Sequence, residues 1–252
     1  MIVSRRKLIG AGAAGVGGLL LGGCDRLNQT ASFRDKLIGA EDLTMRAQRL
    51  LMGDALAREF SEAEMSPVFR ANGSTSVADG AYRQALANGF SAFTLRVDGL
   101  VRQALDLPLD TLKSMPQRTQ ITRHDCVEGW SAIGKWQGPQ LGPILAKAGL
   151  LPDARYVVFH CADTLGGGKA YYESIDLIDA FHAQTILAWR MNDAPLIEAH
   201  GAPLRLRVER QLGYKHAKYV TRIELRSTLA GLHGGKGGYW EDYGDYAWYA
   251  GI

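Results

Sequence analysis

Residues 117–131 read QRTQITRHDCVEGWS. Alternation through QRTQITRHDC predicts a β-strand over 117–126 that delivers Cys126 at its end. Most cysteines in soluble chains are buried, inert and surrounded by apolar residues. Cys126 instead stands among His124, Asp125, Glu128 and Trp130. Arg123 and His124 are positive neighbours that would favour thiolate over thiol. A thiolate is either a nucleophile or a soft metal ligand. On a strand, His124 and Cys126 share a face, which leaves open a cysteine hydrolase or transferase with His124 as its base. The other reading is a high-valent metal held by one protein sulfur, its remaining ligands coming from a cofactor.

Upstream, FTLRVDG predicts a strand with Phe93, Leu95 and Val97 facing inward and a turn at Asp98-Gly99. PLDTLKSM predicts a short helix capped near Asp110, and LGPILAKAGL a helix with Pro143 near its first turn and Gly149 at its stop. RYVVFHCAD reads as a buried strand and YYESIDLIDAF as a turn into a helix. AQTILAWRMNDAPL, PLRLRVERQLG and YVTRIELRS read as further strands. Strands mixed with short helices, without a regular βαβ beat, predict a single α+β domain over residues 65–252. Residues 25–64 read as a linker merging into an N-terminal helix, and SPVFRANGSTSVADGAY as a loop. The tail GGKGGYWEDYGDYAWYAGI reads as an aromatic lid packed across the core.

The N-terminus, MIVSRRKLIGAGAAGVGGLLLGGC, has a positive start and a short apolar core. This predicts a signal peptide over 1–24, with Arg5 and Arg6 matching the twin-arginine export pattern. The LGGC ending resembles a lipoprotein box in which Cys24 becomes an acylated first residue, so the expected location is the periplasm, with an inner-membrane anchor through Cys24. The leader carries Arg5, Arg6 and Lys7 and no acid, so residues 25–252 hold 26 basic and 26 acidic side chains. A charge-neutral mature chain argues against a nucleic-acid binder. With Cys24 set aside, Cys126 and Cys161 remain, and a disulfide between them is the simplest expectation in an oxidising compartment. There is no C-x-x-C-H for covalent haem and no four-cysteine set for an iron–sulfur cluster.

Five pieces in order, namely SPVFRANGS, CVEGWS with KWQGPQLGPIL, HGAPLRLRV and LGYKHAKYVTRIEL, resemble the molybdopterin-binding domain of the sulfite oxidase superfamily. Within it, the chain is most similar to the bacterial branch that contains the catalytic subunit of periplasmic protein-methionine-sulfoxide reductase. The resemblance implies a single mixed-sheet α+β domain, a molybdenum-molybdopterin cofactor, and Cys126 as the protein's ligand to the metal. It places Phe69, Arg70 and Asn72 along the pterin and metal site. His200, Arg205, Lys215 and Lys218 would neutralise the anionic cofactor, whose phosphate calls for Arg and Lys. Tyr171 matches a tyrosine near the metal, and with Arg70 and Cys126 it makes up the implied catalytic set. The family's Arg-Asn-His is here Arg70-Ala71-Asn72-Gly73, which weakens the case for an oxyanion held by Arg70. The implied activity is oxygen-atom transfer, as S- or N-oxide reduction or sulfite-type oxidation. The substrate would be a small molecule or a protein sulfoxide or oxyanion, and a membrane haem protein or c-type cytochrome would be the electron partner. A non-catalytic periplasmic lipoprotein is the third reading, and it predicts no bound cofactor.

Overall fold

Leu95 and Val97 alternate with more exposed neighbours along β1 (Thr94–Gly99), and both are fully buried, as the inward pattern requires. The computed structural model describes residues 30–252, so the expected export signal and Cys24 box lie outside the described residues. β1 joins a five-stranded sheet in the order β2 (Leu105–Pro108), β1, β11 (Val220–Arg226), β5 (Tyr156–Leu165), β6 (Lys169–Asp176). The β1–β11 pair is parallel and the other pairs are antiparallel, so the sheet is mixed. Gly99 ends β1 with φ 84°, and a Cβ there would stand 2.3 Å from the Leu225 carbonyl oxygen. Only glycine fits both the left-handed backbone and that close approach.

A second, antiparallel sheet runs β3 (Gln117–Cys126), β4 (Trp130–Pro139), β8 (Arg190–Met191), β9 (Ala194–Pro195). β3 and β4 pair without interruption from Gln117↔Pro139 to Cys126↔Trp130. The hairpin loop is Val127-Glu128-Gly129, closed by the Gly129 N–H on the Cys126 carbonyl at 3.0 Å, with Gly129 at φ 84°. Cys126 is therefore the last strand residue before a tight turn. A two-stranded ribbon of β7 (Ile186–Ala188) and β10 (Arg205–Arg207) completes the strands.

Several local expectations are corrected. The YYESIDLIDAF stretch is not a turn into a helix: Lys169–Asp176 is β6, and only Leu177–Ala180 coils, as α5. Two adjacent tyrosines and a buried Glu-Ser-Ile alternate across a sheet better than around a helix. PLRLRVERQLG forms only the three-residue β10, because β7, its partner, offers only Ile186–Ala188 for pairing. The helix α3 (Leu109–Ser114) has Pro108, not Asp110, at its N-cap, with no side-chain cap. α4 (Leu141–Ala148) stops at Gly149 as expected.

α1 (Ala31–Met52) is a unit of its own, with Leu43, Leu50 and Leu51 exposed. No helix among the described residues is long and apolar enough to cross a membrane. The second compact unit begins at Asp54, ahead of the expected boundary at 65. The segment after Asp54 is tied to that unit by Phe60 N–H on the Ile121 carbonyl and by Gln184 on both sides of Ala57. α2 (Gly80–Ala87) is capped by Asp79, whose carboxylate accepts from the Tyr82 N–H at 2.8 Å. α6 (Tyr239–Gly244) lies in the aromatic tail.

Candidate functional site

The tip of the β3–β4 hairpin, the loop 66–79, the ends of β5 and β6, the 3-10 turn Gly213–Lys215 and the tail converge on one cavity of about 110 Å³. Cys126, Asn72, Tyr171 and Lys218 line it together. Cys126 is half-buried, with the backbone N–H groups of Val127 and Glu128 favouring its sulfur. Burial nevertheless pushes its thiol up, against the expectation of a ready thiolate. The reason is geometric: Arg123 turns to Asp125 at 2.9 Å, and His124 carries no charge. Cys126 and Cys161 are both free thiols, so the expected disulfide is absent.

His124 is buried against Gly213, where a Cβ would stand 2.5 Å from Nε2. Its Nδ1 lies 3.0 Å from Arg207 Nη1. A guanidinium only donates, so Nδ1 accepts and the ring proton sits on Nε2, which has no partner. Burial, then Arg207, holds the imidazole neutral and well below its usual range. Its single lone pair is already used, so His124 cannot serve Cys126 as a general base. The hydrolase reading loses its base here.

The cations divide into balanced and unbalanced. Arg207 is balanced by Glu209, at 2.8 and 2.6 Å. Arg205 is fully buried and lies 4.9 Å over the Trp136 ring. Its Nη1 donates to the His200 carbonyl at 3.1 Å, while Nε and Nη2 have no partner. Among the described residues no carboxylate pairs with it, and burial, then Arg207, brings its pKa down to about 9. Lys218 donates to the carbonyls of Asn72 (2.6 Å), Ala199 (3.1 Å) and Ser74. It thereby joins the loop 66–79 to the turn Glu198–His200 that Arg205 also holds. Burial, then Arg205, pushes Lys218 down to about 7. Phe69 packs edge-on to Trp136 at 5.3 Å and to His200 at 5.8 Å, behind the cavity.

Five expected residues are not among those that line the cavity: Phe69, Arg70, His200, Arg205 and Lys215. Phe69, His200 and Arg205 pack against one another or against Trp136, whereas Arg70 is exposed. Lys215 is fully buried between Glu173 and Glu241, so its ammonium is already spent on carboxylates. Tyr171 is buried and donates to the Tyr214 carbonyl at 2.7 Å, while Tyr172 faces the other way onto Asp242. Residues that sequence reasoning passed over also line the cavity: Glu128, His216, Trp240 and Tyr246. His216 stood inside GYKHAK, between the two lysines that drew attention. Asp163 also lines the cavity and is buried, with Oδ2 accepting from Ser74 at 2.6 Å and Oδ1 unpartnered.

Unmet donors at Arg205 and His124, with unmet acceptors at Asp163 and His216, are costly when buried, about 1–3 kcal/mol each. A cofactor that carries anionic oxygens for the donors and ring N–H groups for the acceptors would satisfy them, and Cys126 supplies the soft donor. The residues fit a molybdenum-pterin cofactor.

His216 donates from Nε2 to the Gln211 carbonyl at 3.0 Å. Burial, then Arg207, His124 and Arg205, keeps it neutral well below its usual range. Burial, then Arg205 and Lys218, pushes His200 down to about 4. Unfolded histidines take up protons near pH 6.5 while these two do not, so their contribution to stability is present above that pH and lost below it. The unfolding free energy is expected to fall by roughly 1.4 kcal/mol per pH unit for each histidine below pH 6.5. The His200 share ends near pH 4. Urea titrations at pH 7 and pH 5 check this, and equal stabilities would show that the rings charge in the folded state.

The family described as oxidoreductase molybdopterin binding domain matches residues 84–230. A protein from Azospira oryzae, named as protein-methionine-sulfoxide reductase subunit YedZ1, is 42% identical over 161 residues, covering 64% of this chain and 56% of that protein. The protein-methionine-sulfoxide reductase catalytic subunit MsrP of Xanthomonas axonopodis pv. citri is 34% identical over 145 residues, 54% of this chain and 45% of that one. The chain thus spans about half the length of the curated relatives it matches. Among solved structures, the sulfane dehydrogenase SoxCD of Paracoccus pantotrophus aligns with a TM-score of 0.49 at 22% identity, over 55% of this chain and 39% of that one.

Proposed function

Because this chain belongs to the oxidoreductase molybdopterin-binding domain family, we propose that it is an exported oxygen-atom transferase that reduces a sulfoxide. The observation that carries the reading is a lone half-buried thiol at a hairpin tip, facing a cavity near which Arg205 and Lys218 lie without a direct ion-pair partner among the described residues. Cys126 would bind the metal through Sγ. Arg205 and Lys218 would face the anionic pterin, with His200, Asn72 and Phe69 around it. When bound, the cofactor supplies the two-electron chemistry of atom transfer.

The chain's own residues then set access and orientation. Lys218 pins the loop 66–79 through the Asn72 and Ser74 carbonyls and ties it to the Ala199 carbonyl, which fixes Asn72 at the cavity. Tyr171 presents its hydroxyl there, anchored on the Tyr214 carbonyl. Trp240 and Tyr246 stack at 5.5 Å and cover one side, limiting water. Glu128 and Asp163 line the same space while Arg70 does not. Two acids against the single lining lysine, Lys218, which is held by backbone carbonyls, disfavour a sulfite dianion and suit a neutral sulfoxide, free or in a protein. Reduction takes up two electrons and two protons and releases water with the thioether. The electrons come from a separate haem protein, in the membrane or of the c type. The relatives named as methionine-sulfoxide reductase subunits support this direction. The signal at Arg5 and Arg6 supports a periplasmic location, and Cys24 a lipid anchor.

The full chain, produced in a molybdenum-replete host, is expected to contain about one molybdenum per chain and to oxidise a reduced dye with methionine sulfoxide but not to oxidise sulfite. Molybdenum without sulfoxide turnover would remove the substrate; protein free of molybdenum would remove the whole reading.

A further inference from the structure

We infer that Lys215, Glu173 and Glu241 form a latch that registers three walls of the Cys126 cavity against one another. Each member sits one or two residues from a cavity-lining side chain on a different element. Glu173 follows Tyr171 on β6, Lys215 follows Gly213 and Tyr214 in their 3-10 turn, and Glu241 follows Trp240 on α6. All three side chains are completely buried. Lys215 Nζ donates to Glu241 Oε1 at 2.6 Å and also to Glu173 Oε1. Gly238 makes the room: a Cβ there would stand 2.1 Å from Glu241 Oε2 and 2.6 Å from Glu173 Oε1.

A lone ion pair would need one carboxylate. Here one ammonium holds two, and each carboxylate keeps an unpartnered Oε2. Burial, then Glu241, raises the Glu173 carboxyl well above its usual range. The ammonium fork therefore does more than neutralise charge: it ties the tail to β6 through the turn beside Cys126. α6 has six residues, too few to hold its place by helix hydrogen bonds alone. The position of Trp240 and its stacking partner Tyr246 depends on the tie. The latch rests on the proposed function only in taking this cavity as the working site.

The test uses Glu241→Gln and Lys215→Met in the full chain. Glu241→Gln leaves Lys215 opposite Glu173 alone, a balanced pair, so this variant keeps the domain folded even where Lys215→Met does not. Amide exchange in residues 239–246 is expected to quicken at least tenfold while β1 and β11 exchange unchanged. The near-ultraviolet dichroism of the stacked Trp240–Tyr246 pair is expected to weaken well below the melting temperature. Uniform loss of protection, or unchanged exchange, or an unchanged aromatic signal in Glu241→Gln, would each overturn the latch. Molybdenum per chain is measured on the unaltered protein in parallel. Its absence would end the functional reading, while the exchange comparison would still decide the latch.

Discussion

Cys126→Ser is expected to lower sulfoxide turnover more than about 1000-fold, about 4 kcal/mol of transition-state stabilisation, while the protein folds normally. The expectation separates two roles that one side chain could play. As a structural residue, Cys126 contributes little: it is half-buried, and the Val127 and Glu128 N–H groups would bond a hydroxyl as readily as a sulfur. The stability change should stay within about 1 kcal/mol. As a ligand, the sulfur is not replaceable, because a serine hydroxyl gives up its proton far less readily and is a hard donor. Burial already raises the Cys126 thiol, and among the described residues no cation is placed to pull it back down. Serine would start from a worse position still. Turnover, molybdenum per chain and melting temperature on the same sample decide the matter. A serine variant that keeps a tenth of the activity would sink the ligand role. A variant that loses activity only because it unfolds would leave Cys126 as a folding residue and nothing more.

What could be read from the sequence follows the range of the forces involved. The strand over 117–126, with Cys126 at its end, was legible because alternation is local. Leu95 and Val97 in β1 were legible for the same reason. The β6 strand was not: Tyr171 to Asp176 carries tyrosines and a glutamate on a strand buried on both faces, and its partner Lys215 is forty residues away. No local pattern announces a buried Glu–Lys pair. The same distance misled the reading of Lys215 itself. GYKHAK places two lysines three apart, and from sequence both look like cofactor contacts. In the fold, Lys218 turns towards the loop 66–79 and Lys215 towards the tail. The thiolate expectation failed for a related reason, since Arg123 and His124 are adjacent in sequence but spend their interactions on Asp125 and Arg207.

Arg205→Met is expected to move two measurements in opposite directions. The arginine is fully buried, two of its three nitrogens have no partner, and Arg207 presses on it from the same strand. An uncompensated buried charge costs several kcal/mol, and exchanging it for an apolar side chain of similar length recovers part of that. Protein made without the pterin cofactor should therefore gain about 1–4 kcal/mol on Arg205→Met, raising the melting temperature by several degrees. The contact over Trp136 at 4.9 Å returns some of the cost in the natural protein, but a methionine thioether packs against the indole as well. Protein made with the cofactor should show the reverse: molybdenum per chain falls at least tenfold, because the unmet donors at Nε and Nη2 are the ones an anionic phosphate would take. A residue that merely braces the core would lose stability in both preparations and lose metal only in proportion. Arg207→Met is the internal control. Its guanidinium is already matched by Glu209 and His124, so its removal strands a buried carboxylate and should destabilise the protein with or without the cofactor. The two arginines lie two residues apart on one strand with opposite predicted signs. If both substitutions lowered the stability of cofactor-free protein equally, Arg205 would be structural, and the phosphate would have to be held elsewhere.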